Sequence, residues 1–122
     1  MKVLVIDDEQ DIRLIAQIGL RTAGVHVRTA DGGAAGIVAA RETHPDVILL
    51  DVMMPEMDGY TTFAALRADA DTASIPVIFL TAKHLSSRDF QVQTEGAAGF
   101  IQKPFSPRDL AVQIRKIVPG LR

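Results

Sequence analysis

The stretch VILLDVMMPEMDG, residues 47–59, decides the fold class of this chain. Its first four residues, Val47–Leu50, are aliphatic and unbroken by polar residues, which is typical of a strand buried on both faces of a parallel sheet. Asp51 follows the run directly, and a loop containing Pro55 leads to Asp58, which we expect to cap the next helix. The stretch predicts a strand, a loop and a helix in succession, as in an α/β fold.

Similar short apolar runs recur along the whole chain. The other predicted strands are Val3–Ile6, Val25–Val27, Val77–Leu80 and Gly99–Ile101. Between the runs lie stretches with helical period, and the clearest of these carry Ile12, Ile15, Ala16, Gly19 and Leu20, and Leu110, Ala111, Ile114, Ile117 and Val118. Weaker helical stretches lie near Gly33–Thr43, after Asp58 and at about Ser86–Glu95. We expect Ser106 to cap the last helix, with Pro107 at its first position. The pattern predicts a (βα)₅ doubly wound parallel sheet.

The composition limits the classes of function. The 122 residues, 48% of them apolar, fit one domain, and the net charge of −2 gives no basic field for direct nucleic-acid binding. The chain has no cysteine, which excludes thiol catalysis and thiolate metal sites. The start MKVLVIDD does not resemble a signal peptide, and no apolar run is long enough to cross a membrane. We therefore expect a cytoplasmic protein that does not contact membranes.

Reactive side chains follow four of the five predicted strands. They are Asp7 and Asp8 after the first, Asp51 after the third, Thr81 after the fourth and Lys103 after the fifth. Because the carboxyl ends of parallel strands share one edge of the sheet, we expect these groups to lie together. Three carboxylates without His or Cys favour Mg²⁺ or Mn²⁺, and a lysine and a hydroxyl suit a phosphoryl group. A carboxylate can act as the nucleophile and form an acyl phosphate.

The same residues carry a family resemblance. Asp7-Asp8, Asp51, Thr81-Ala82, Lys103-Pro104-Phe105 and the loop 51–59 together resemble the receiver domain of two-component response regulators, in the CheY-like superfamily. The resemblance extends from Lys2 to about Val118, and we expect residues 1–122 to form a single receiver domain. It implies the flavodoxin-like strand order 2-1-3-4-5.

The resemblance also implies a reaction and a set of ligands. Asp51 would accept a phosphoryl group from the phosphohistidine of a histidine kinase or a phosphotransfer protein. Asp8, Asp51 and the backbone carbonyl of Met53 would bind Mg²⁺, with Asp7 acting mainly through a water molecule. Lys103 would pair with Asp51 at rest and with the phosphoryl group afterwards.

The resemblance further implies a switch. Thr81 would move toward the phosphoryl group and vacate space for the side chain of Phe100, and the Lys103–Pro104 peptide bond would be cis. The change would reach a downstream protein through the face made by helix four, strand five and helix five, and it could include a phosphorylation-dependent dimer. The chain would act as a signalling switch, catalysing only its own phosphorylation and dephosphorylation.

Two positions that tune dephosphorylation in the family hold Met53 and Lys83 here. Neither side chain is an amide or an acid that could orient an attacking water. We therefore expect the phosphoryl group to be lost slowly.

Several interpretations compete with a stand-alone receiver. The chain could be a receiver cut from a longer response regulator or a hybrid kinase. A phosphatase of the haloacid dehalogenase type needs a second Asp two residues after the nucleophile, where this chain has Met53. A pseudo-receiver used only for binding does not agree with the intact acidic set.

Overall fold

The computed structural model of the chain describes residues 1–82 and 88–121. Within these ranges, five parallel strands form one sheet in the order β2-β1-β3-β4-β5, as predicted. The strands are β1 (Lys2–Ile6), β2 (His26–Ala30), β3 (Val47–Asp51), β4 (Val77–Thr81) and β5 (Gly99–Gln102). The helices are α1 (Gln10–Thr22), α2 (Gly33–Thr43), α3 (Gly59–Ala68), α4 (Arg88–Gln93) and α5 (Leu110–Ile117).

The core lies on both faces of the sheet. Every residue of β3 and β4 is buried, because successive side chains of a central strand point to opposite faces that are both covered by helices. Leu4, Ile48 and Phe79 belong to the cluster on one face, and Val5 and Leu49 to the cluster on the other. The uninterrupted apolar runs thus fix the strands whose ends carry the reactive groups.

The prediction of strands buried on both faces is wrong for the two edge strands. In β5 only Ile101 is buried, and the difference is larger in β2. This strand runs from His26 to Ala30 rather than over Val25–Val27, and His26 and Arg28 are exposed. β2 is an edge strand, so solvent reaches one side of it, and exposed polar residues alternate with partly buried ones.

The helix termini agree only in part with the sequence. The Asp58 side chain caps α3 by accepting a hydrogen bond from the Thr61 amide at 2.8 Å, as expected. Ser106, in contrast, makes no side-chain capping bond, because a turn of 3₁₀ helix (Pro107–Asp109) precedes α5. The carbonyl of Ser106 accepts from the Asp109 amide in this turn. Among the helices of residues 1–82 and 88–121, none has both the length and the apolar composition of a membrane span.

Candidate functional site

The carboxyl ends of four strands bring the predicted reactive groups together. Residues Ile6 and Leu50 are paired in the β1–β3 register, so Asp7 and Asp51, which follow them, lie next to each other. On the other side, the Lys103 amide donates to the Thr81 carbonyl at 2.8 Å, continuing the β4–β5 pairing past the end of β5. The sheet register thereby places two acids, a hydroxyl and an amine at one edge.

Lys103 is the central cation of this edge. Its Nζ lies 2.8 Å from Asp7 Oδ2 and 3.1 Å from Asp51 Oδ1, to which it donates a hydrogen bond. The Lys103 side chain is only 11% exposed, so these contacts are shielded from solvent. Glu9 Oε1 lies 3.7 Å from the same Nζ, and we assigned no role to Glu9 from the sequence. Its place directly after Asp7-Asp8 was the available signal.

The carboxylates of Asp7, Asp8 and Asp51 form a compact acidic cluster. Each residue has one carboxylate oxygen that lies within 4.8 Å of the oxygens from the other two. Asp7 is fully buried, and its Oδ2 accepts no hydrogen bond of good geometry from the described residues, although Lys103 Nζ is close. Three oxygen donors, one of them buried and under-satisfied, fit a hard divalent cation such as Mg²⁺ or Mn²⁺.

Burial and like charge alter the acid–base properties of Asp51. Desolvation, followed by the charge of Asp7, raises the pKa of Asp51 to about 6, against the lowering effect of Lys103. Burial by itself lowers the pKa of Lys103, but its close contact with Asp7 and the charges of Asp51 and Asp7 raise that pKa overall. Lys103 is therefore protonated at neutral pH, whereas the pKa of Asp51 has moved close to neutral pH.

The remaining predicted site residues occupy different environments. Thr81 is buried at 4% exposure, while the Met53 side chain is 65% exposed on the loop after Asp51. Phe100 is half-buried and stacks near Phe79, with ring centroids 6.2 Å apart. The Lys103–Pro104 peptide bond is cis. The second tuning residue, Lys83, lies outside the described residues.

The loop between β3 and α3 holds the start of α3 tightly against Asp51. A Cβ atom on Gly59 would lie 2.3 Å from the Asp51 carbonyl oxygen, so only glycine fits here. The role of Gly59 in the structure is this close approach, and the left-handed residue of the loop is Glu56, with φ of 65°.

Another residue that sequence reasoning missed is Arg13. Its guanidinium donates to the Asp7 carbonyl at 2.7 Å and links α1 to the end of β1. Its position four residues after Glu9, on the same helical face, is the only sequence signal for it.

Comparison with known proteins agrees with this geometry. The model of the response regulator receiver domain family matches residues 3–115. The chain belongs to this family. This receiver domain is 36% identical to protein PilG of Pseudomonas aeruginosa over 120 residues, and the alignment covers 98% of this chain and 89% of PilG. The structure of the chemotaxis protein CheY4 of Vibrio cholerae superimposes with a TM-score of 0.88 at 32% identity, covering 96% of this chain and 98% of that one.

Other relatives are longer. The probable transcriptional regulator ycf27 of Porphyra purpurea is 38% identical over 117 residues, which are 96% of this chain but 47% of the relative. This receiver domain thus spans about half the length of the curated ycf27 relatives that it matches.

Proposed function

We propose that this receiver domain is a Mg²⁺-dependent phosphoryl-accepting switch, with Asp51 as the acceptor. The observation that carries the proposal is the Asp51 carboxylate itself, which is buried, bonded to Lys103 at 3.1 Å, and within 4.8 Å of oxygens from Asp7 and Asp8. Neighbouring acids make a carboxylate collect a cation, and the lysine adds a fixed positive charge for an incoming phosphoryl group.

In the proposed reaction, an oxygen of the Asp51 carboxylate attacks the phosphorus of a phosphohistidine. The P–N bond breaks, its electron pair stays on the imidazole nitrogen, and Asp51 becomes an acyl phosphate. Lys103 already touches the attacking carboxylate and would pair with the phosphoryl oxygens, while the Thr81 hydroxyl would donate to another of them. A bound Mg²⁺, held by Asp8, Asp51 and the carbonyl of Met53, with Asp7 through water, would supply neutralising charge to these oxygens.

The donor in this proposal is a histidine kinase or a histidine phosphotransfer protein. The phosphoryl group adds about −1.5 to −2 charges at one buried edge, and Thr81 and Phe100 would respond by changing place. The altered face of α4, β5 and α5 would bind a downstream protein or a second copy of the domain, without direct contact to nucleic acid. We propose residues 1–122 as one receiver domain that acts in the cytoplasm.

The decisive experiment uses acetyl phosphate as a small phosphoryl donor. Wild type and Asp51→Asn are incubated with it, with and without Mg²⁺, and their intact masses are measured. We expect one phosphoryl group on the wild type with Mg²⁺ and none on the variant. A wild type that gains no mass, or a variant that gains as much, contradicts the proposal.

The second candidate is a regulator with a further output domain. The ycf27 relatives favour it, because the match covers only 47% of the length of the Porphyra purpurea protein. A stand-alone receiver is favoured by PilG, of which it covers 89%. The length of the complete gene separates the two.

A further inference from the structure

Helix α4 carries one buried aromatic side chain, Phe90, among the side chains that the structure describes. Of its residues whose side chains the structure describes, 90–93, only Phe90 is buried, and Val92 is 66% exposed. The Thr94 amide donates to the Phe90 carbonyl at 3.0 Å and closes the last turn of the helix. Phe90 therefore ties α4 to the core, and the residues that pack against its ring help to set the position of the helix.

Two aromatic rings from different elements contact Phe90. The ring of Phe100, on β5, has its centroid 5.1 Å away, and the ring of Tyr60, on α3, lies edge-on at 6.0 Å. Both neighbours also contact Phe79 of β4, at 6.2 and 6.3 Å. Phe90 is thus held between a residue of the proposed switch and a residue that has no assigned role.

The backbone of Tyr60 is tied to the acceptor. Its neighbour Gly59 donates its amide hydrogen to the Val52 carbonyl at 2.9 Å and fits against the carbonyl of Asp51 without room for a Cβ atom. The start of α3 therefore has little freedom to move relative to the strand end that carries Asp51. The Tyr60 ring therefore rests on a backbone that is fixed to the strand end carrying Asp51.

We propose that Tyr60 is a positioning residue of the switch, which holds α4 in its resting place through the Phe90 ring. The inference rests on the proposed function and adds a second connection from Asp51 to α4, through Gly59 and Tyr60. Tyr60 opposes displacement of the Phe90 ring. It therefore stabilises the resting position of α4 relative to the displaced position before phosphorylation. A shift of Phe100 must then overcome the Tyr60–Phe90 contact.

The test measures hydrogen exchange of single amides by NMR in wild type, Tyr60→Leu and Tyr60→Phe. The Thr94 amide reports opening of α4, and the Ile48 amide, bonded to the Pro76 carbonyl at 2.9 Å in the central sheet, reports global unfolding. Phe63→Leu is the matched control, because Phe63 lies on the same helix and joins the same aromatic cluster through Phe79, at 5.2 Å.

We expect Thr94 to exchange about two- to tenfold faster in Tyr60→Leu, from the loss of one aromatic pair, with Ile48 unchanged. Tyr60→Phe keeps the ring, so the Thr94 amide should exchange more slowly in this variant than in Tyr60→Leu. After phosphorylation by acetyl phosphate, the further change at Thr94 should be smaller in Tyr60→Leu than in wild type.

Unchanged exchange at Thr94 in Tyr60→Leu, or equal acceleration in Phe63→Leu, overturns the inference. If Tyr60→Leu destabilises the whole domain, the variant Phe90→Leu and the double variant supply a second test. The effects of Tyr60→Leu and Phe90→Leu on the exchange rate of the Thr94 amide should then be non-additive. Additive effects overturn the inference. The intact masses of the same samples show whether Asp51 was phosphorylated. A failure of the proposed function is thereby recognised separately from a failure of Tyr60 to hold α4.

Discussion

At the scale of single residues, the environment of Asp51 lowers the folding stability of the domain at neutral pH. The carboxylate is buried at 4% exposure beside the fully buried Asp7, and its pKa rises to about 6. A carboxyl group with a raised pKa contributes most to folding stability at low pH, where it is protonated. This contribution is lost as the pH rises from the ordinary value of 3.8 through 6.

Asp51→Asn should therefore stabilise the metal-free domain at neutral pH. Since each pKa unit corresponds to about 1.4 kcal/mol, we expect a gain of about 1–3 kcal/mol at pH 7.5 and little difference at pH 4. Urea denaturation in the presence of a chelator measures both values. The exposed acid Asp31, changed to Asn, serves as the control, and a gain for Asp51→Asn that is the same at both pH values would refute the assignment.

Met53 allows a test of how fast the proposed acyl phosphate is hydrolysed. It is 65% exposed, lies two residues after the proposed acceptor Asp51, and has no amide or acid group that could orient a water molecule. Met53→Asn supplies an amide that can, so we expect the acyl phosphate to decay roughly tenfold faster or more. The decay is followed by intact mass after removal of the donor. Met53→Leu should match the wild type, and equal lifetimes for Asn and Met would contradict the idea.

At the scale of elements, the predictability of each strand follows from its burial. The runs of β3 and β4 are buried on both faces, so hydrophobicity alone located them. The edge strand β2 is buried on one face at most, and its limits were misplaced because His26 and Arg28 interrupt the apolar pattern. The contact of Gly59 with Asp51 and the ring of Tyr60 on Phe90 arise from tertiary packing, which no local pattern encodes.

Helix α1 presents an unusual exposed apolar surface close to the acidic cluster. Leu14 is 52% exposed and Ile18 is 57% exposed, one turn apart on a helix that begins two residues after Asp8. Burial of such side chains by a partner is favourable, at about 1.5–3 kcal/mol for each one fully buried. Under the proposed function, a phosphohistidine-bearing donor would cover this surface when it reaches Asp51.

Leu14→Gln should consequently slow phosphoryl transfer from a phosphohistidine protein by about tenfold. Phosphorylation by acetyl phosphate should not change, because this small donor needs no docking surface. Val38→Gln is the matched control, since Val38 on α2 is equally exposed, at 52%. Rates from the two donors, measured in parallel, give the comparison. Equal slowing with both donors would point to a damaged fold instead.

At the scale of the whole molecule, the acidic cluster links cation binding to folding. Carboxylate oxygens of Asp7, Asp8 and Asp51 lie within 4.8 Å of one another in the folded chain, so a divalent cation held by this cluster would bind the folded state in preference to the unfolded one. At a concentration ten times its dissociation constant, Mg²⁺ should stabilise the domain by about 1.4 kcal/mol, a rise of several degrees in Tm. Thermal unfolding with Mg²⁺, against KCl of equal ionic strength, isolates this effect from screening. Asp8 is exposed, so Asp8→Asn should fold normally but lose most of the Mg²⁺-dependent rise. An undiminished rise in this variant would place the cation elsewhere.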